Sequence, residues 1–412
     1  MANRGLIVVY ILCVWFVISF VTNIIGPLMP VIISDFHLSL TLAGVLPFSF
    51  FLAYGLVSIP AGMLIEARGP AFALMSAFSI NLAGALGFAL HPTYLVAIVA
   101  LFVIGIGMAM LQVVINPLMR DAGGEAHFAF FSVLGQLVFG LASYVSPMVF
   151  SGLVASHTHV PAVLNELIKA THAPRWVLLY WLFAALFAGT LLLTQPLDLN
   201  HFELKADEKS GPLKVYGELL QDNHVRLFFI GIAAYVGSEQ SIANWMSPFL
   251  ETYHHIDPNT TGAQEVGNFW GLMSLGCLVG LGLLKLWDQK LVLRGAVMAA
   301  SLCLALALFG SADVSLIAFP MCGFCLSVMF SIVFSLGLNS IPKHHGALSG
   351  ILCSGILGGA VAPLIVGTIG EHIGLRMSLL LVFVLLAFLL SISFWARPIV
   401  SNAVLLRKDV RV

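Results

Sequence analysis

The stretch FFIGIAAYVGSEQSIANWMSPFL, Phe228 to Leu250, decides how this chain folds. Its length and apolar content predict a membrane-spanning helix, because about 20 residues cross the hydrocarbon of a bilayer. Yet Glu239, Gln240 and Asn244 lie near its middle. An acid at that depth is costly in hydrocarbon, so it is expected to face a polar cavity. The remaining helices are then expected to build and gate that cavity.

Working outward, composition places the whole chain in a lipid bilayer. Of 412 residues, 60% are apolar and 9% charged, with a mean hydropathy of +1.02. Soluble domains carry about 25% charged residues. A net charge of -1 gives no reason to expect a nucleic-acid partner. The six cysteines all fall in apolar stretches. Cys322 and Cys325 have thioredoxin spacing but not the βαβ context or exposure of that chemistry, so they read as packing residues. The first apolar run, after Arg4, lacks a small-residue cleavage site and reads as a first helix rather than a signal peptide.

Hydropathy marks twelve candidate spans. Six run over about 5–33, 40–65, 71–90, 94–119, 126–154 and 176–194; six more over about 227–250, 266–287, 291–309, 314–340, 347–369 and 377–395. The charged stretch 198–226 separates them. The expected fold is therefore all-α and integral to the membrane, with pseudo-symmetric six-helix bundles at 1–197 and 227–412 joined by a cytoplasmic linker at 198–226. The halves echo each other: Asn116 precedes Gly123 by the same seven residues as Asn339 precedes Gly346, and each fifth helix holds a proline, Pro147 or Pro363. With both termini cytoplasmic, only Lys169, Arg175 and Arg376 of the 18 lysines and arginines fall outside, the sense of the positive-inside rule. A plasma membrane, specifically a bacterial inner membrane, is the expected location, and a monomer the expected form.

Polar side chains within the spans outline a candidate site. The first span carries Asn23 with Gly26, Pro27 and Pro30, whose two prolines remove backbone donors and should bend or break it. The fourth carries Gln112 and Asn116, four residues apart and so on one face. Gln136 follows on the fifth, Glu239, Gln240, Asn244 and Trp245 on the seventh, Asn268 and Trp270 on the eighth, and Asn339 late in the tenth. Any one amide can be interhelical glue worth about 0.6 kcal/mol. Together, amides that donate and accept at once, with indole faces, suit a neutral polyol or sugar. No inward cluster of lysines or arginines is available for an anion.

Glu239 can serve as a neutral acid bonding to a neighbouring helix, or as the group that couples solute flux to a cation. Low-dielectric surroundings favour the neutral form of any carboxylic acid, the property a proton-exchanging group needs near neutral pH. Sodium is the other candidate ion. No cofactor or metal is expected: His157, His159 and His172 in the exterior segment 156–174 are loosely spaced and lack an acid or thiol partner. The histidine pairs at 254–255 and 344–345 sit at helix mouths. No activated nucleophile marks an enzyme. Glu66 and Arg68, in GMLIEARG at 62–69, and Asp288 in the second half are candidate gating residues.

These motifs resemble the major facilitator superfamily, whose helix 2–3 signature GMLIEARG matches with Glu66 in place of the usual aspartate. The chain more closely resembles the fucose/glucose–galactose:proton symporter family. The matching segments are QVVINP at 112–117, AYVGSEQSIANW at 234–245, FWGLMSLG at 269–276, SVMFSIVFSLGLNSIP at 327–342 and SGILCSGILGGAVAPLIVG at 349–367. The resemblance implies secondary active uptake of a hexose-like sugar by alternating access. In the fucose-transporting branch, a helix-one aspartate and a helix-four glutamate serve coupling and binding; Gly26 and Gln112 stand at the matching positions here. Asn116 is retained, Cys277 replaces a common arginine, and Glu239 matches the helix-seven acid of the glucose/galactose-type branch. The alternative is a proton-coupled exporter of sugars or small amphiphiles on the same scaffold. Asn116→Ala and Gln136→Ala are each expected to weaken solute affinity, and unaltered binding curves for both would remove them from the site.

Overall fold

The computed structural model describes residues 4–123, 128–154, 174–197, 199, 213–341 and 344–398. The expected histidine-bearing loop at 156–173 and the first part of the linker lie outside the described residues. The described residues are helical almost throughout. Nine stretches among them are long and apolar enough to cross a membrane: Arg4–Phe36, Leu40–Leu90, Tyr94–Ile115, Arg175–Thr194, Pro258–Leu286, Gln289–Phe309, Ala312–Ser340, Gly346–Ile373 and Leu375–Trp395.

The first is two helices, α1 (Arg4–Thr22) and α2 (Ile25–Phe36). Pro27 has no N–H to return to the carbonyl of Asn23, and the ladder breaks at 23–24 as the prolines require. The second and third expected spans are two helices that meet directly at a kink at Gly69, with no loop between them, and together they run as α3 (Leu40–Leu90). As a single rod its 51 residues would reach about 75 Å, more than twice the hydrocarbon thickness. It turns at Gly69, where φ is +81°, a conformation that favours glycine, and Pro70 restarts the helix without a missing hydrogen bond.

Then come α4 (Tyr94–Gly123), α5 (Phe128–Val154) and α6 (Leu178–Thr194). Within the expected linker, α7 (Leu213–Gln221) buries Tyr216 and Leu219. Next, α8 (Asn223–His254) is capped by Asp222, whose carboxylate accepts from His224 N at 2.7 Å. A short turn, Pro258–Gly262, leads into α9 (Ala263–Leu286) and α10 (Gln289–Phe309). The tenth expected span is divided into α11 (Ala312–Leu326) and α12 (Met329–Ser340). The chain continues through α13 (His345–Ser354), α14 (Gly358–Ile373), the single turn α15 (Leu375–Ser378) and α16 (Leu381–Trp395).

In lipid there is no hydrophobic drive between apolar helices, so close backbone approach at small residues holds them together. Gly105 of α4 lies against the Phe50 carbonyl of α3. Three further seams join the earlier helices to the later ones. A Cβ on Gly26 of α2 would lie 2.6 Å from Ala243 O of α8, and one on Gly367 of α14 would lie 2.6 Å from Leu40 O of α3. A Cβ on Gly267 of α9 would stand 3.3 Å from Tyr144 O of α5. Between the earlier and later helices that these seams hold together, α1, α5, α8 and α9 enclose a central space. Gly105→Ala is expected to lower thermal stability in detergent by about 1–3 kcal/mol, because its wall is backbone and cannot move aside. Gly87→Ala, with open space around the added methyl, is the neutral control.

Candidate central cavity

A cavity of about 440 Å³ opens where those helices meet. Its polar lining comes from Thr22 at the end of α1, Asn23 at the break that follows, α3 (Tyr54), α4 (Gln112), α5 (Ser143), α8 (Tyr235, Glu239, Gln240), α9 (Trp270, Ser274, Cys277), Ser327 and α12 (Ser331). Trp15, Phe51, Phe139, Met273 and Phe330 supply apolar wall. Among these described lining residues, Glu239 is the one carboxylate, and no lysine, arginine or histidine joins it. That chemistry suits a neutral, hydroxyl-bearing solute with an apolar ring face.

Glu239 owes its place to helical geometry. Tyr235, Val236, Glu239 and Gln240 recur at the spacing of one helix face, and that face lines the cavity. Gln240 Nε2 donates to Glu239 Oε1 at 3.1 Å. Tyr235 adjoins the same carboxyl from one turn earlier.

Asn23 is held by a polar seam between α1 and α5. Its Nδ2 donates to Ser143 Oγ at 2.7 Å, and the Ser19 and Ser143 hydroxyls meet at 2.5 Å. Ser143 Oγ also donates to Phe139 O at 3.0 Å. The helix break at 23–24 and this seam together present Asn23 to the cavity. Opposite it, Trp270 is buried, and its indole Nε1 has no partner among the described residues. An indole N–H in that condition has lost its hydration without gaining a partner. Ser274 and Ser327 donate to carbonyls of their own helical turns, Trp270 O and Phe324 O, leaving lone pairs available as acceptors.

Of the candidate residues, the structure thus brings together Asn23, Gln112, Glu239, Gln240 and Trp270. Four others sit elsewhere. Trp245 is wholly buried, its Nε1 donating to Pro363 O at 2.9 Å, so it ties α8 to α14. Asn244 is buried beyond the cavity, with Nδ2 unpartnered among the described residues. Asn268 Nδ2 bonds Glu265 at 3.1 Å and Asn339 Nδ2 bonds Ser335 at 3.2 Å, each within its own helix. The side chains of Asn116 and Gln136 lie outside the described residues.

The candidate gating residues occupy helix ends. Asp288 caps α10, accepting from Lys290 N at 2.8 Å. Glu66 and Arg68 are exposed beside the turn at Gly69, where the Arg68 guanidinium lies 4.9 Å above the Phe72 ring. Among the described residues, no group of three or more histidine, cysteine or acidic side chains is placed to hold a metal. Tyr235 and Ser143 were not singled out from sequence. Tyr235 was legible as the residue one turn before Glu239; Ser143 had no such marker.

Comparison with known proteins agrees with this architecture. Residues 11–354 match the profile of the Major Facilitator Superfamily. A glucose/galactose transporter of Brucella abortus biovar 1 (strain 9-941) is 29% identical over 397 residues, covering 94% of this chain and 93% of its own length. The L-fucose-proton symporter of Escherichia coli (strain K12) is 23% identical over 389 residues, covering 88% and 87%. Among solved structures, a variant of the E. coli fucose:proton symporter superposes with a TM-score of 0.69 at 20% identity, over 95% of this chain and 98% of that one. A bacterial homolog of the human lysosomal transporter Spinster, inward-facing and unoccupied, gives 0.74 at 16% identity, over 95% and 96%. The chain belongs to the Major Facilitator Superfamily, a multi-pass membrane transporter rather than an enzyme.

Proposed function

We propose that this protein is a proton-coupled symporter that takes up a hexose-like monosaccharide by alternating access. The observation that carries the reading is Glu239, the one charged group among the described residues that line a cavity of amides, hydroxyls and aromatic rings. The relatives named as glucose/galactose transporters and as an L-fucose-proton symporter support the sugar and the proton. Counting α3 as two crossings and adding α5 and α8 gives twelve, which we divide as 1–197 and 227–412 about the linker 198–226. Both termini lie in the cytoplasm of a bacterial cell, and the protein sits in its inner membrane.

In this mechanism Glu239 is the coupling group. A proton bound from one side is released on the other when the cavity changes the face to which it opens. At Gly26 a side chain has no room against Ala243 O, so the acid of the fucose-type branch has no equivalent there. Gln112 offers an amide where that branch has a carboxylate. Coupling therefore falls to Glu239. Gln240 lies within hydrogen-bond reach of the carboxyl and steadies it, and the relative named an L-fucose-proton symporter supports the proton as the coupling ion. Asn23, Gln112, Gln240 and Trp270 bind sugar hydroxyls, with Asn116 and Gln136 as further members of the site.

Reconstituted vesicles test this directly. Under an imposed gradient of one pH unit, wild-type protein is expected to accumulate labelled glucose or galactose up to about tenfold at 1:1 coupling, since 1.4 kcal/mol is a factor of ten. Glu239→Gln should reduce accumulation to equilibration while sparing exchange; unchanged accumulation, or accumulation driven by sodium instead, would reject the assignment. Trp270→Phe removes the free indole donor and keeps an aromatic face. It is expected to weaken sugar affinity about fivefold, the worth of one hydrogen bond, as read by titration calorimetry.

A further inference from the structure

A helix face turned to lipid is expected to be apolar along its length, and one face of α10 is not. Lys290, Arg294, Met298 and Leu302 follow at four-residue intervals and so share one stripe of the helix. Met298 and Leu302 are 65% and 63% exposed, as side chains against acyl chains are. Lys290 and Arg294 carry the same stripe to the linker end of the bundle, where Trp395 of α16 packs on His224 at the start of α8. Cations at the edge of a bilayer ordinarily snorkel into water. These two are fastened to the protein instead. Lys290 Nζ donates to Ala396 O at 2.9 Å. Arg294 Nε donates to Ser393 Oγ at 3.0 Å and Nη2 to Ser393 O at 3.1 Å. The exposed Phe394 ring lies under the guanidinium, 4.2 Å from its Cζ.

Those bonds satisfy carbonyls in the last turn of α16, a common use of basic side chains at a helix C-terminus. They do not exhaust the cations, because an ammonium has three donors and a guanidinium five. Nor do they neutralise them, since every acceptor is uncharged. Arg397, exposed and next to Ala396, adds a third positive charge. Among the described residues no carboxylate lies within ion-pair distance of Lys290, Arg294 or Arg397. Asp288, the acid nearest in sequence, caps α10 by accepting from Lys290 N. Three cations therefore stand together at the membrane edge, two of them fixed in place, above an exposed apolar stripe. The geometry points to a binding site for an anionic phospholipid: Lys290, Arg294 and Arg397 hold its phosphate, and an acyl chain lies along Met298 and Leu302. Guanidinium geometry matches phosphate oxygens. A zwitterionic lipid brings its own ammonium and leaves the three charges unbalanced; an anionic one offsets them. Its head would also bridge α10 and α16. The inference uses the orientation proposed above only to place the site in the cytoplasmic leaflet, where basic residues meet anionic lipid.

Native mass spectrometry of the full-length protein, titrated in detergent with phosphatidylglycerol or phosphatidylcholine, tests this. Wild-type protein is expected to retain phosphatidylglycerol in preference. Arg397→Gln should weaken that binding about fivefold, and Lys290→Gln with Arg294→Gln about thirtyfold, while phosphatidylcholine binding stays unchanged. Arg397 is exposed, so its variant remains informative if the double variant folds poorly. Arg294→Lys keeps the charge and should keep most of the preference. Equal binding of the two lipids, or phosphatidylglycerol binding indifferent to Arg397→Gln and to the double variant, would overturn the inference. So would a loss shared by both lipids, which would leave the cations as ties between α10 and α16 alone. Glycerol 3-phosphate at equal concentration is expected not to displace the lipid; displacement would make this a site for free phosphate and overturn the lipid assignment. No sugar enters the measurement, so it succeeds or fails independently of the hexose reading in vesicles.

Discussion

Hydrocarbon offers no partner to a carboxyl group, and the rest of this structure follows from where Glu239 is allowed to be. An acid near the middle of a span must be given a wet or hydrogen-bonded chamber. Here the chamber is made by turning one face of α8, carrying Tyr235, Glu239 and Gln240, toward α1, α5 and α9. Among the described lining residues every other group is uncharged, and no fixed cation faces the carboxyl. A neutral solute and a proton can therefore share the space without an ion pair locking either in place.

The chamber exists only because the helices around it approach closely at some points and not at others. Glycines at 26, 267 and 367 bring backbones into near contact across the seams between the earlier and later helices. The same economy explains the breaks. Pro27 interrupts the first helix at Asn23, and Ser143 of α5 accepts from the Asn23 side-chain amide and holds it in position. Gly69 turns a run that would otherwise overshoot the bilayer. Backbone irregularity is placed where a cavity or a change of direction uses it.

Some residues play roles their chemistry alone would not suggest. Trp245 has the amphipathic ring expected of a sugar platform, but it spends its N–H on Pro363 O and fastens two helices. Trp270, an indole of the same kind, belongs to the cavity lining, and its buried N–H has no partner among the described residues. Asn268 and Asn339 satisfy themselves within their own helices. The difference lies in which helix face each occupies relative to neighbours far away in sequence.

Membrane residence, most of the helical elements and the need for a chamber beside Glu239 were determined by the sequence alone. Long apolar runs and a lone acid in lipid permit few arrangements. The paired prolines likewise required a break near Asn23, and Gly69 with Pro70 allowed the turn in α3. Only the tertiary structure decided which polar side chains share the cavity. Span-level periodicity says that Gln112 and Asn116 share a face, or that Asn244 follows Gln240, but not what each face meets. That depends on helix rotation set by backbone contacts such as Gly26 on Ala243 O, between residues more than 200 positions apart. Ser143 shows the same limit: as one serine among many in an apolar helix, it acquires a role only when α5 is laid against α1.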